Sequence, residues 1–346
     1  MKPRALFICG SLNQTTQMHQ IAQELPEFEH AFSPYYLDGP LEAFRRARWL
    51  EFTVAGEKLR TRCLGYLAGH GLTVDERGAR GPYELVVTCS DLVVPRNVRR
   101  SPLVLVQEGI LDPPDAFFPL VRWLPFVPRW LAGTAATGLS RRFHRFCVAS
   151  DGYRDHFVEI GVPAERICVT GIPNFDDCDR YRRNEFPHRH YVLVCTSDAR
   201  ETFKRDDREA FVRRCQEIAA GRPLIFKLHP NEDARRATAE IHAVVPGALV
   251  YATGSAEEMI ANADVFIGQY SSTAFVALAL GKEVHSHFNV DELRRLLPIQ
   301  NRSAARNVAR VCRELVACPD LSEDAGRQGV RPLRARPQFS LLRGAR

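Results

Sequence analysis

No apolar run of eighteen residues occurs in the chain, so a membrane-spanning helix of ordinary length is excluded from the sequence. The opening stretch MKPRALFICGSLNQTTQMHQ has too short an apolar part for a secretory signal, and the expectation is a cytoplasmic protein. The ten cysteines (Cys9, Cys63, Cys89, Cys147, Cys168, Cys178, Cys195, Cys215, Cys312, Cys318) contain no C-x-x-C pair and no zinc-ligand spacing. Several lie inside apolar runs such as LFICG and RFCVAS, and they read as small buried hydrophobes of a reducing compartment, with no metal. G-x-G-x-x-G is missing, which disfavours a nicotinamide dehydrogenase, and there is no Walker loop. No bound cofactor is expected. Short-period repeats are missing too, which disfavours solenoids.

Acids are missing from the last twenty residues, RQGVRPLRARPQFSLLRGAR, which hold six arginines. The net charge of +6 therefore belongs to this tail, and residues 1–326 are neutral. A short basic end rich in Pro and Gly reads as a disordered, solvated tail, so nucleic-acid binding is not expected.

What is present is apolar material for two cores: 346 residues, 45% hydrophobic and 25% charged. ALFICG followed by Met18, Ile21, Ala22 and Leu25 at helical spacing predicts a strand, a polar turn and an amphipathic helix. A long helical stretch is expected at roughly 40–69. YELVVTCSD, SPLVLVQEG, HRFCVASD and ERICVTGIP read as short strands, and GYRDHFVEIG as a helix ended by its glycine. YVLVCTS, PLIFKLHP, ALVYATG and DVFIGQYSS repeat the pattern after a polar stretch with prolines at both ends. Continuous apolar strands alternating with helices argue for parallel α/β sheets. The expected division is an N-terminal Rossmann-like domain at 1–172, a linker at 173–190, a C-terminal Rossmann-like domain at 191–326 and a tail at 327–346.

Ligands of open parallel sheets bind at the carboxyl ends of strands. Ser271, Ser272 and Thr273 fall at such an end, where hydroxyls and the amides of Ser272, Thr273 and Ala274 could hold a phosphate, or serine could serve only as a helix cap. His229 in KLHPNE ends another strand of the same half, and Lys227 either adds positive charge or is surface. A histidine beside a phosphate cradle suggests a nucleoside diphosphate site. In the first turn Gly10, Ser11, Asn13, Thr15 and Thr16 crowd small hydrogen-bonding groups that could bind substrate hydroxyls.

KLHPNE, followed about forty residues later by SAEEMIANADVFIGQYSSTAFVALALGKEV, resembles the carboxyl-terminal domain of the GT-B superfamily, nearest to CDP-glycerol glycerophosphotransferases and nonhydrolysing UDP-N-acetylglucosamine 2-epimerases. VLVQEGILDPPD resembles the epimerase segment carrying a catalytic glutamate, which makes Glu108 the matching acid and Asp91 in TCSD a weaker match. The resemblance spans roughly 85–285 and implies two Rossmann-like domains facing a central cleft. It also implies a nucleotide-activated donor on the second domain and transfer of a sugar or polyol-phosphate unit to a hydroxyl of a glycan or lipid-linked acceptor. The chain departs from the pattern where Gln269 replaces an acid and where Val276 and Ala277 replace a ribose-binding acid.

As a general base Glu108 would take a proton from the acceptor hydroxyl; as a bland alternative it caps the following turn. His70 in AGHGL is a substitute base or a helix-terminal residue. The alternatives of function are a sugar-nucleotide 2-epimerase and a catalytically silent GT-B scaffold. The segment FFPLVRWLPFVPRWLAG, residues 117–133, suits either packing on the first domain, a dimer contact or peripheral contact with a membrane at its inner face.

Overall fold

The computed structural model describes residues 2–47, 55–114, 117–124, 127–197, 200 and 206–318. The chain divides at Asp176 into two compact units, with the described residues from Asn301 to Cys318 returning to the first.

In the first unit the elements are β1 (Arg4–Cys9), α1 (Leu12–Gln23), β2 (Glu29–Pro34), α2 (Pro40–Arg46), α3 (Glu57–Gly69), β3 (Leu85–Thr88), β4 (Leu103–Val106), α4 (Phe118–Trp123), β5 (Arg145–Val148), α5 (Asp151–Ile160) and β6 (Ile167–Val169). The strands form one parallel sheet in the order β2-β1-β3-β4-β5-β6. LVVT and LVLV are buried at every position, as central parallel strands covered on both faces require. α1 buries Met18, Ile21 and Ala22, the positions its period marked. α5 starts where the Ser150 hydroxyl accepts the Tyr153 amide and stops at Gly161, whose φ of 110° an L side chain would resist. The helical stretch expected at 40–69 is two helices, α2 and α3, and residues 48–54 lie outside the described residues.

The second unit comprises β7 (Val192–Cys195), α6 (Arg208–Ala219), β8 (Leu224–Lys227), α7 (Ala234–Val244), β9 (Leu249–Tyr251), α8 (Ala256–Asn262), β10 (Val265–Gly268), α9 (Thr273–Ala279), β11 (Glu283–Ser286) and α10 (Val290–Leu296). Its sheet is also parallel, in the order β11-β10-β7-β8-β9. Val192, Val194, Phe226, Val265 and Ile267 from the strands pack with Val212, Cys215 and Ile241 from α6 and α7 in its core.

Two sequence expectations need correction. The expected domain at 191–326 includes the last helix, α11 (Ala304–Ala317), but this helix buries Val308, Val311, Cys312 and Leu315 with Met18, Ile21 and Leu25 in the core of the first unit. Asp176 fastens its start, accepting the amides of Asn301, Arg302 and Ala304 at 3.0, 2.8 and 2.7 Å. The stretch 173–190 is packed, not a free linker: Asn184 and Asn262 exchange side-chain hydrogen bonds, and Phe186 meets Tyr191 and Tyr251 edge to face. The basic tail at 327–346 lies outside the described residues. All ten cysteines are free thiols, eight buried, Cys168 half-buried and Cys318 exposed, in line with their reading as small hydrophobes.

Candidate functional site

At the carboxyl edge of the first sheet the order reverses between β1 and β3, the kind of switch point where open α/β sheets bind ligands. Glu108, two residues past β4, is half-buried there. The Ser11 hydroxyl donates to Glu108 Oε1 at 2.7 Å, and the Gln14 carboxamide donates to Oε2 at 2.5 Å. Asn13 Nδ2 is 3.5 Å from Oε1 and 3.4 Å from the Glu108 carbonyl oxygen. The first strand–helix turn and the end of β4 therefore form one constellation around a carboxylate held by uncharged donors. Ser11 also caps α1, accepting the Gln14 amide at 3.1 Å. A methyl group on the Gly10 Cα would meet the end of the Gln14 carboxamide, so that side chain would have to shift from its present place against Glu108.

Behind this layer Asn174 donates to the Asn13 carbonyl at 2.7 Å and to Asn13 Oδ1 at 2.5 Å, and its own Oδ1 accepts from Gln20 and Thr16 at 2.7 and 3.3 Å. That fixes which way the Asn13 amide faces. Gln107 is buried, its Oε1 accepting the Ala149 amide at 2.9 Å, and Gln17 donates to the Gln107 carbonyl at 2.8 Å. Thr15 is fully buried and its hydroxyl is bound to the Ser11 carbonyl at 2.8 Å, so it supports the helix.

His70 does not join this group. It is the exposed C-cap of α3, stacked on Tyr66 at 4.0 Å and 5.3 Å from His19, which is nearly two turns along α1 from Asn13. Asp91 is fully buried and accepts the amides of Gly138 and Ser140 at 2.9 and 3.1 Å, anchoring a loop. Burial holds its carboxyl above the usual carboxylate range, against the pull of those amides. A carboxyl that holds its proton more tightly when folded stabilises the fold fully below its unfolded value of about 3.9 and loses that contribution as pH rises through the folded value. Asp91→Asn removes the titration. The stability difference, parent minus variant, is expected to fall as pH rises from the unfolded carboxyl's range through the higher folded value. Urea titrations at several pH values check the sign, and a rise would contradict burial as the controlling cause.

In the second unit the switch point lies between β7 and β10. Gln269, at the end of β10, spans it: its Oε1 accepts the Ser197 hydroxyl and amide at 2.8 and 3.2 Å, and its Nε2 donates to Asp206 at 2.8 Å. Gln269, which stands where the sequence resemblance expects an acid, is thus 3% exposed and committed to the scaffold. Ser271, Ser272 and Thr273 are half-buried just beyond it. The amides of Thr273 and Ala274, expected to be open to a phosphate, are bonded to the Ser271 hydroxyl and carbonyl, both at 3.3 Å. Ser271 and Thr273 hydroxyls share a 2.7 Å hydrogen bond. Ser272 occupies the N-cap position yet makes no side-chain capping bond, which leaves its hydroxyl as the member of the trio not used by the turn.

His229 follows β8, two strand positions from β10 in the sheet and so about 10 Å away by interstrand spacing. Its Nδ1 accepts the Asn231 amide at 3.3 Å, and its own amide donates to Glu232 Oε2 at 2.8 Å and Thr196 Oγ1 at 3.1 Å. Glu232 reaches back three residues in the manner of a capping box. Lys227 is not a surface cation. It is 6% exposed, and its ammonium donates to the carbonyls of Leu228 at 2.9 Å and Ala252 at 3.4 Å. Burial holds its amine below the usual range. Burial likewise pushes the neighbouring Cys195 thiol up to about 12, so it is not a nucleophile at neutral pH. Val276 and Ala277 are buried in α9.

The sequence reading missed Gln14 and Asn174 in the first unit and Thr196, Ser197, Asp206, Arg208 and Glu232 in the second. Glu232 stood in the quoted KLHPNE, and its spacing of three from His229 was a legible capping signal. Among the described residues no group of three or more His, Cys, Asp or Glu side chains could hold a metal ion.

No protein-family model matches the chain, and no curated protein matches its sequence. Solved structures do match its backbone. The UDP-GlcNAc 2-epimerase of Methanocaldococcus jannaschii, in complex with UDP-GlcNAc and UDP, is similar over 90% of this chain and 99% of its own, with a TM-score of 0.56 and 11% identity. The UDP-GlcNAc 2-epimerase of Neisseria meningitidis bound to UDP-GlcNAc matches over 92% of this chain and 93% of its own, at TM-score 0.51 and 10% identity. A variant of the wall teichoic acid polymerase TagF matches over 91% and 89%, at TM-score 0.51 and 10% identity. At such identities the likeness is one of fold, and with the two parallel sheets above it establishes an α/β architecture of GT-B type.

Proposed function

We propose that this protein is a sugar-nucleotide enzyme that transfers a glycosyl or polyol-phosphate unit from a nucleoside-diphosphate-linked donor to a hydroxyl acceptor of a glycan or lipid-linked glycan. The observation that carries the reading is Glu108, a carboxylate at a sheet's carboxyl edge whose oxygens are oriented by Ser11, Asn13 and Gln14. In glycosyl transfer the acceptor oxygen attacks the anomeric carbon and the bond to the diphosphate breaks. Glu108 takes the acceptor proton, and the nucleoside diphosphate leaves. The second unit holds the donor through the Ser272 hydroxyl and His229, with Ser271, Thr273 and Lys227 shaping the strand ends around them. Gly10 and Thr16 shape the Glu108 side of the reaction. The leaving group is stabilised by fixed polar groups, with no obligatory metal.

Epimerisation is the second reading, favoured by the same carboxylate and by the two solved epimerases of this fold. It needs Glu108 to remove a ring proton from the donor sugar in the absence of any acceptor.

A panel of UDP, CDP, GDP and ADP derivatives tests the donor site by thermal stabilisation. A ligand at a hundred times its Kd should add about 2.7 kcal/mol, roughly 5–10 °C for a unit of this size. The shift should be selective for one base and reduced in Ser272→Ala and His229→Ala. No shift with any nucleotide would overturn the donor reading. With the donor identified, solvent deuterium appearing in recovered donor without acceptor would decide for epimerisation, and product formed only with acceptor for transfer.

A further inference from the structure

β4 ends at Val106, and the chain beyond it is held by side chains. The carbonyls of Gln107, Glu108 and Gly109 follow one another past the strand end, and each faces a carboxamide: Gln17 Nε2 at 2.8 Å, Asn13 Nδ2 at 3.4 Å and Gln107 Nε2 at 2.9 Å. Uncharged donors thus fix the backbone on both sides of Glu108.

Gln17 is the least expected of these donors. It is 0% exposed, on the part of α1 that goes on to bury Met18, Ile21 and Ala22 in the core. Packing alone asks for an apolar side chain there. Its Oε1 is buried with no hydrogen-bond partner among the described residues, a loss of stability that a methionine of similar length avoids at this position. Turning the carboxamide over gives no relief, because it sets oxygen against oxygen at the 2.8 Å contact with Gln107. A donor kept in the core at the expense of stability marks a functional constraint.

What that donor holds is the approach to Glu108. Gln14, three residues before Gln17 and so on the same helix face, donates to Glu108 Oε2. Successive turns of α1 therefore grip the carboxylate and the peptide that precedes it. A peptide group is planar, so fixing the Gln107 carbonyl also fixes the Glu108 N–H and the Cα from which the carboxylate projects.

We propose that Gln17 is a positioning residue for Glu108, its bond to the Gln107 carbonyl setting the direction in which the carboxylate meets the proton it removes. The inference rests on the reading of Glu108 as the base, in transfer or epimerisation alike. A misdirected base loses rate while the donor still binds.

Turnover of the parent, Gln17→Met, Glu108→Gln and the double variant tests this, at saturating donor. Gln17→Met should lower kcat by about 10- to 100-fold, with the KM for the donor within about twofold and a melting temperature within about 3 °C of the parent. In the Glu108→Gln background the same change should alter kcat by less than about threefold, because a residue acting through Glu108 then has no base to direct. An unchanged kcat in the single variant overturns the inference and leaves Glu108 as base. Equal losses in the two backgrounds overturn it as well and make Gln17 a packing residue. No turnover by the parent, or unchanged turnover in Glu108→Gln, overturns the reading of the base and this inference with it. Gln17→Glu, of the same size, keeps the test open where the methionine variant does not fold. Its carboxyl can donate to the Gln107 carbonyl only when protonated, so its turnover relative to the parent should fall as pH rises across about pH 5 to 10. A ratio that stays flat over that range overturns the inference.

Discussion

Glu108→Gln should lower turnover by about 10²- to 10⁴-fold, the usual contribution of a positioned general base, while donor-induced thermal stabilisation stays at the parent level. The split follows from where the residues sit. Glu108 belongs to the first unit, whereas Ser272 and His229, the proposed donor contacts, belong to the second. The substitution keeps the size of the side chain and its hydrogen bond from Ser11. It sets two donating amide groups opposite each other at the Gln14 contact, so the Gln14 carboxamide must turn over. Rate is read as release of the nucleoside phosphate from the donor selected by the stabilisation panel. If turnover changes by less than about threefold, a role as base is ruled out and Glu108 is a structural acceptor joining α1 to the end of β4. If stabilisation by the donor is lost together with rate, the residue binds ground state and transition state alike.

The parallel α/β character was legible because its signal is local. LVVT, LVLV and VLVC are continuously apolar runs of strand length, and each is buried at every position. Glu108, Ser11 and Asn13 were each marked from sequence, but their convergence was not, because it depends on strand order: β1 and β4 lie on either side of β3, separated by almost a hundred residues of chain. Asn174 and Asp176 escaped notice for a similar reason. They sit in a polar stretch that reads as linker, and their partners at Asn13 and Arg302 are distant in sequence. α11 has an amphipathic period, yet nothing in a helix's own sequence says which of two sheets its apolar face covers. The serine junction was found, and its chemistry was half legible. Backbone amides that looked open to a phosphate are consumed by Ser271, because a serine one position before the cap can fold its hydroxyl back on the turn.

Arg208→Ala is expected to cost the second unit about 3–5 kcal/mol, the loss seen when one partner of a buried ion pair is removed. Arg208 is the first residue of α6, where the helix dipole disfavours a cation, so its place must come from its partners. Its guanidinium donates to Glu232 at 2.6 Å and to Asp206 at 3.1 and 3.2 Å, and all three side chains are at most 3% exposed. Without it two carboxylates remain in a low-dielectric layer, with Arg200 3.4 Å from Asp206 as a more exposed cation. The damage does not stay local. Glu232 holds the His229 amide and the Thr196 hydroxyl, and Asp206 holds the Gln269 carboxamide that spans β10 and β7. The ends of β7, β8 and β10 therefore share one cation. Urea unfolding followed by separate probes in the two units should show an early transition in the second unit and an unchanged one in the first. Donor-induced stabilisation should fall with it, since His229 and the serine junction lose their common support. Arg208→Lys restores a charge without the planar fork and should recover only part of the loss. A change below about 1 kcal/mol for the alanine variant would mean that solvent or Arg200 compensates the two carboxylates. The network would then be a consequence of the loop arrangement and not its cause.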